Sequence, residues 1–312
     1  MYESGFRGKR MGHLLGIGLI LISAACFGAL AIFGKFACAS GISTHSLLFF
    51  RFLIAALVMT PIALLQKRRF PRGRDLAILT AMGFIGYAGV SFCYFTALDQ
   101  ISPGLLAILL YLYPVMVAAL SFFFLEESFT KNKVLALAPA VSGAVLVIGL
   151  DTDGNRTGVF LGIGAAVIYA FYNVAGGSVM GRNDAFTASL VVIASAGVFY
   201  LIYNLRAGFF IPGPGMAWLH ILAIALISTA LAIYTYFLGM KLAGAVNASM
   251  LSTFEPVTTM VPAAIFLGQE IGWMQAAGTA LILSSAILTA LRPKPKTSCP
   301  EQTESPAKGF ES

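Results

Sequence analysis

YFTALDQISPGLLAILLYLYPVMVAALSFFFL, residues 94–125, and YFLGMKLAGAVNASMLSTFEPVTTMVPAAIFL, residues 236–267, are one pattern written twice. The offset is 142 positions, and it runs without a gap from Tyr94–Leu150 onto Tyr236–Arg292. Tyr94-Phe95 faces Tyr236-Phe237, Pro114-Val115 faces Pro256-Val257, and Phe124-Leu125 faces Phe266-Leu267. Further on, Ala138, Ala144 and Leu146 fall opposite Ala280, Ala286 and Leu288. The identities are few, but the prolines coincide, and an internal repeat of this kind governs how the rest of the chain is read.

The solvent of this chain is lipid. Hydrophobic residues make up 58% of the 312 and charged residues 11%, against about 25% charged in a soluble domain. Mean hydropathy is +0.86. Ten apolar runs separate the charges: roughly 13–33, 46–65, 76–97, 103–125, 133–150, 158–178, 186–205, 217–239, 244–267 and 272–291. Each has about the 20 residues a helix needs to cross a hydrocarbon core, and none alternates like a barrel strand. Arg7, Lys9 and Arg10 precede the first run as in a signal peptide, but the run is longer than a usual apolar signal core. The repeat also uses it as a full element, so it is read as a retained helix.

Lysine and arginine sort by side. With the N-terminus inside, the inner segments hold 16 of them, including Lys67, Arg68, Arg69, Arg72, Arg74, Arg182 and Lys241. The outer segments hold 3, Lys35, Arg156 and Arg206, and Arg51 lies within a helix. The excess predicts cytoplasmic termini and makes the +7 net charge a matter of topology beside anionic lipid. Nucleic acid is not implied. Trp218 and Trp273 open helices that start on the outer side, where amphipathic rings prefer to sit. Five crossings per half is an odd number, so the second half enters from the opposite face. The expected fold is an all-α polytopic membrane protein of ten transmembrane helices in two inverted five-helix repeats. Its divisions are 1–150, 151–292 and a disordered cytoplasmic tail 293–312, with the boundary in the polar turn Asp151–Arg156. Inverted repeats of this kind place a carrier's site near the bilayer midplane.

The short loops leave no room for a soluble domain. Cys26, Cys38, Cys93 and Cys299 show no metal or disulfide spacing. His13, His45 and His220 are scattered at helix ends, and the GxxxxGK[ST] phosphate loop and the protease signatures HExxH and GxSxG are absent. No metal, cofactor, ATP-driven step or enzymatic activity is therefore expected. Asn155-Arg156-Thr157 matches a glycosylation sequon in a very short turn. Glycines recur along the third and sixth helices (Gly83, Gly86, Gly89; Gly158, Gly162, Gly164, then Gly176 and Gly177), where small residues let backbones approach in lipid.

Glu255-Pro256 is the most informative local feature. A carboxylate near mid-helix in lipid costs several kcal/mol, and it must face a cavity or a partner. Pro256 frees the carbonyl of Ser252, and Pro114 frees that of Leu110, so both prolines are read as kinks lined by protein or a wet cavity. The repeat twin of Glu255 is Tyr113, with Tyr111 opposite Thr253. Glu255 either binds a cationic group or titrates during transport; alternatively it bonds a tyrosine and steadies the kink. Weaker candidates surround it: Asn173 with Tyr169 and Tyr172, then Tyr87, Ser91 and Tyr94, Tyr234 beside Tyr236, and Asn247 and Ser252. An aromatic-lined cavity with scattered hydroxyls and amides suits an amphipathic metabolite. Arg51 either snorkels to the interface, or attracts a substrate carboxylate, or forms a gating pair with Glu255. Lys35 is read as snorkelling, and Glu126, Glu127 and Glu270 as loop or cap residues.

These features together resemble the EamA family of the drug/metabolite transporter superfamily. The likeness rests on Arg51-Phe52-Leu53-Ile54-Ala55-Ala56, Tyr94-Phe95-Thr96-Ala97-Leu98, Tyr113-Pro114, Glu255-Pro256 and Phe266-Leu267-Gly268-Gln269-Glu270, and it covers about 11–291. Two places depart from the family pattern. Phe27-Gly28 stands where Trp-Gly is common, and Leu-Gly-Gln-Glu carries one residue more than the usual Leu-Gly-Glu. The resemblance implies an inverted-repeat secondary carrier in a bacterial inner membrane, exporting amino acids or amine-bearing metabolites by alternating access. A coupled proton or counter-substrate and a monomeric or homodimeric state fit it equally. A uniporter or channel, a sugar-phosphate or nucleotide-sugar exchanger, and a non-transporting sensor are the other readings. The expected substrate-binding or coupling set is Glu255, Tyr113, Tyr111, Asn173, Tyr234, Arg51, Tyr94 and Ser252, with Pro114 and Pro256 as bending points.

Overall fold

A computed structural model gives the architecture, and it describes residues 2–39, 41–98, 100–101, 103–125, 131–148, 155–211, 215–267 and 272–291. Glu126, Glu127, Glu270, the turn 151–154 and the tail 293–312 lie outside them, as do the side chains of Lys35 and Cys38. Among the described residues all regular structure is helical. The first half comprises α1 (Tyr2–Ala39), α2 (Thr44–Leu65), α3 (Gly73–Ala81), α4 (Ala88–Leu98), α5 (Pro103–Leu110), α6 (Tyr113–Phe124) and α7 (Lys131–Ile148). The second comprises α8 (Arg156–Met180), α9 (Ala185–Ala207), α10 (Met216–Ala225), α11 (Ala232–Ala243), α12 (Ala245–Leu251), α13 (Glu255–Leu267) and α14 (Trp273–Leu291). Seven stretches have the length and apolarity to cross a membrane, and Leu135–Leu146 and Trp273–Leu288 are shorter apolar helices. Large apolar side chains such as Leu57, Phe123 and Phe160 point outward, as they do when the surrounding medium is hydrocarbon. The protein is an integral, multi-pass membrane protein.

The offset of the sequence repeat recurs in the helix starts. α5 begins at Pro103 and α12 at Ala245, α6 at Tyr113 and α13 at Glu255, α7 at Lys131 and α14 at Trp273. Packing obeys the same symmetry. α1 packs on α11 as α8 packs on α4, α1 on α13 as α8 on α6, and the twin pairs α2 with α9 and α7 with α14 meet across the pseudo-twofold. Each half therefore completes the other, and the core runs through the seam. Phe52, Ile20, Tyr172, Tyr236 and Phe237 belong to one buried cluster drawn from both halves.

Two local devices were not visible in the apolar pattern. The third and eighth crossings are each interrupted by a π turn, Met82–Tyr87 and Leu226–Leu231, twins to within two residues. A π turn inserts one residue and rotates everything beyond it. At the first of these, Gly83 lets α9 approach so closely that a Cβ would lie 2.3 Å from the Val192 carbonyl oxygen. The second device lies at the prolines. α5 stops at Leu110 and α6 restarts at Tyr113, while α12 gives way to a 3-10 turn, Ser252–Phe254, before α13 restarts at Glu255. Each proline thus becomes the second residue of a new helix, where its missing N–H interrupts nothing.

Candidate functional site

The break before α13 decides where Glu255 sits. Glu255 is the first residue of that helix, directly after the 3-10 turn. α13 is pinned to α1 by Thr258, whose Oγ1 donates to the Ala24 carbonyl at 3.0 Å. The fit is tight, because a Cβ on Gly28 would lie 2.2 Å from that hydroxyl. From this start Glu255 faces a cavity of about 540 Å³ between the two halves. Its walls carry Phe27 and Leu30 of α1, Leu48 and Arg51 of α2, Tyr87 to Tyr94 of the third crossing, Tyr111, Tyr169 and Tyr172, Tyr236, and Thr259 and Gln275. The Tyr111 hydroxyl lies beside the Glu255 carboxyl group. Among the described residues of that wall, Glu255 is the one acidic residue and Arg51 the one basic residue. They share the cavity without forming a salt bridge among the described residues.

Arg51 is buried, 3% exposed, and does not snorkel. Its Nη2 donates to the Tyr87 hydroxyl at 2.6 Å, and its guanidinium lies 4.6 Å from the Phe52 ring centroid and 5.7 Å from that of Tyr87. Its Nε has no hydrogen-bond partner. The π turn ending at Tyr87 turns that ring towards α2, where it also meets Phe52 edge-on with centroids 5.1 Å apart.

Of the residues expected from sequence, Glu255, Tyr111, Arg51 and Tyr94 line the cavity together, as does Pro256. Four others lie behind its wall. Tyr113 is buried and donates to the Ser249 carbonyl at 3.1 Å. Asn173 is fully buried; it donates to the Tyr169 carbonyl at 2.7 Å and accepts from the Tyr236 hydroxyl. Ser252 returns its hydroxyl to the Ala248 carbonyl at 2.9 Å. Tyr234 packs on Phe186, ring centroids 5.4 Å apart. Thr259 and Gln275 line the wall without having been singled out in the sequence. Thr259 was within reach of sequence reasoning, since it lies four residues past Glu255 on the same helical face. Gln275, whose side chain accepts from the Gly272 N–H at 3.0 Å, reads as a cap and gives no such signal.

At one end of the bundle, the loops rich in lysine and arginine are tied together. Arg182 bonds both oxygens of Asp75, with Nη2 to Oδ1 at 2.7 Å. Arg68 pairs with Asp184 at 3.1 Å, Asn183 donates to Asp75 at 2.7 Å, and Lys241 donates to the Asn183 carbonyl at 2.8 Å. The contacts of Arg68 and Asp75 join the α2–α3 connection and the start of α3 to the α8–α9 connection of the other half, and Lys241 of α11 braces that connection. At the other end of α8, Asn155 of the sequon caps the helix by accepting from the Thr157 N–H at 2.7 Å.

Comparison with known proteins agrees with this architecture. The chain is 24% identical over 266 residues to YetK, an uncharacterized transporter of Bacillus subtilis, covering 81% of this chain and 80% of that protein. It is 23% identical over 284 residues to YicL, an uncharacterized inner membrane transporter of Salmonella typhimurium, covering 87% and 94%. A solved crystal structure shares the fold with a TM-score of 0.76 at 21% identity, over 90% of this chain and 98% of that one. The sequence profile of the EamA-like transporter family matches twice, over residues 14–149 and 156–291, once for each half of the bundle. With both halves matched and the duplicated fold in place, the chain belongs to the EamA-like transporter family.

Proposed function

We propose that this membrane transporter is a secondary carrier that exports amine-bearing small metabolites, amino acids among them, by alternating access around the central cavity. The observation that carries the reading is Glu255, a carboxyl group within the bundle that faces a cavity of about 540 Å³ beside the Tyr111 hydroxyl, with no cation paired to it among the described residues. A group so expensive to hold in lipid marks a substrate or ion path, and a protonated amine is the partner it lacks. The volume falls within the range of small-molecule sites, and the aromatic wall suits an amphipathic metabolite. Pro114 and Pro256, each beside a helix restart at the same depth in its own half, are the bending points. The end bearing the paired Arg68 and Arg182 is the cytoplasmic one, in a bacterial inner membrane with both termini inside. A coupled proton or a counter-substrate drives the flux.

The test is substrate counterflow in proteoliposomes, with compounds first chosen by thermal stabilisation of the purified protein, since a ligand that favours the native state raises its melting temperature. Saturable counterflow of an amine-bearing compound is expected. Flux that rises linearly with concentration and shows no counterflow would replace the carrier with a channel.

A further inference from the structure

We infer that Arg51 and Tyr87 form a carboxylate-binding subsite, so that the substrate is dipolar, with its acid group at Arg51 and its amine at Glu255. The inference rests on the proposed carrier and deepens it by naming the second pole of the same cavity.

A guanidinium presents five N–H donors and is always charged. In the cavity wall, Arg51 uses one nitrogen on the neutral Tyr87 hydroxyl, while Nε has no partner. The rings of Phe52 and Tyr87 offset part of the desolvation, as aromatic faces do for a buried cation. They supply no negative charge. A charge this buried ordinarily pairs with its opposite, and a partner stands in the same wall in the form of Glu255. Yet the two are not joined. The basic end of the bundle makes the contrast plain, because Arg182 there takes both oxygens of Asp75. In the cavity, one cation and one anion stand without a salt bridge between them, Arg51 on the Tyr87 hydroxyl and Glu255 beside that of Tyr111. A zwitterion satisfies both poles at once and leaves the loaded cavity neutral. A simple amine leaves Arg51 without an anion, and a dianionic phosphate puts excess negative charge beside Glu255. The carboxylate of an amino acid, planar and singly charged, matches the guanidinium fork.

The experiment measures binding to the purified full-length protein by thermal shift and calorimetry. Its probes are the twenty L-amino acids, their carboxamides, the matching decarboxylated amines and the matching carboxylates without the amine. For the tightest amino acid, wild type is expected to bind the acid about tenfold more tightly than the amide or the amine, the size of one charged hydrogen bond. Arg51→Gln should abolish that preference, Arg51→Lys should retain part of it through charge alone, and Tyr87→Phe should weaken it. The comparison of acid with amide in wild type needs no variant, so a variant that fails to fold leaves the test intact. If amide or amine binds as well as the acid, the subsite is overturned while the carrier of amines stands. If carboxylates without an amine bind as tightly as the amino acids and depend on Arg51, the acid pole stands, and both the amine pole and the proposed substrate class fall. If no compound of the four series binds, the proposed substrate class falls and takes the subsite with it.

Discussion

At the basic end of the bundle and in the central cavity the protein handles charge in opposite ways. Arg68, Asp75, Arg182 and Asp184 stand at helix ends, partly or well exposed, and are closed into ion pairs across the two halves. Arg51 and Glu255 lie within the bundle, where an unpaired charge costs far more, and they are left apart. If stability alone shaped the molecule, the pairing would be the reverse, since exposed pairs contribute little and buried ones are costly to leave open. Under the proposed carrier, the cavity charges serve a ligand, whereas the end charges tie one half to the other. Beside the cavity lies a layer of satisfied polar groups, where Tyr236 bonds Asn173 and Tyr113 bonds the Ser249 carbonyl.

The largest effect is expected at Arg51. Arg51→Glu puts a second carboxylate in the cavity and removes the cation; counterflow of an amino acid is expected to fall about 100-fold or more. Residual flux above a tenth of wild type would detach Arg51 from the substrate path. In the polar layer, Asn173→Leu leaves the buried Tyr236 hydroxyl without its acceptor, at a cost of about 1–3 kcal/mol. Adding Tyr236→Phe should recover part of the lost melting temperature, because it removes the orphaned group. At the seam of α1 and α13, Gly28→Ala forces a methyl against Thr258 and should destabilise by about 1–3 kcal/mol. Gly164→Ala, whose nearest neighbour would be Cys93 Sγ at 3.9 Å, should melt like wild type. The smallest effect is expected at the basic end. Asp75→Asn with Asp184→Asn keeps the acceptors but removes the charges, and the melting temperature in detergent should move by no more than about 2 °C. A loss as large as that of Gly28→Ala would mean that this end holds the fold together.

The fold was legible because a duplication repeats its own punctuation. An offset found in a handful of residues reappears in the starts of α5 and α12, α6 and α13, and α7 and α14. The site was legible only along single helices. Glu255 stood out because mid-helix carboxylates in lipid are rare, and Tyr94 because it shares a helical phase with Tyr87 and Ser91. Tyr111 and Tyr113 look equivalent in sequence, but the chain turns between α5 and α6, so one faces the cavity and the other is sealed behind it. Tyr234 and Tyr236 are two residues apart, hence on opposing faces of α11, and only Tyr236 reaches the wall. The pairing of Arg51 with Tyr87 spans 36 residues and depends on a π turn. No periodicity announces such a turn, and its tightest contact, Gly83 against α9, lies more than 100 residues away in sequence.

The most direct test of the central claim is counterflow by Glu255→Gln, reconstituted beside wild type and shown to melt within a few degrees of it. Glutamine keeps the shape and a hydrogen-bond acceptor for Tyr111 but removes the negative charge. The predicted result is a fall of about 10- to 100-fold in flux of an amine-bearing substrate, the worth of a charged hydrogen bond. Wild-type flux from the folded glutamine variant would contradict the account.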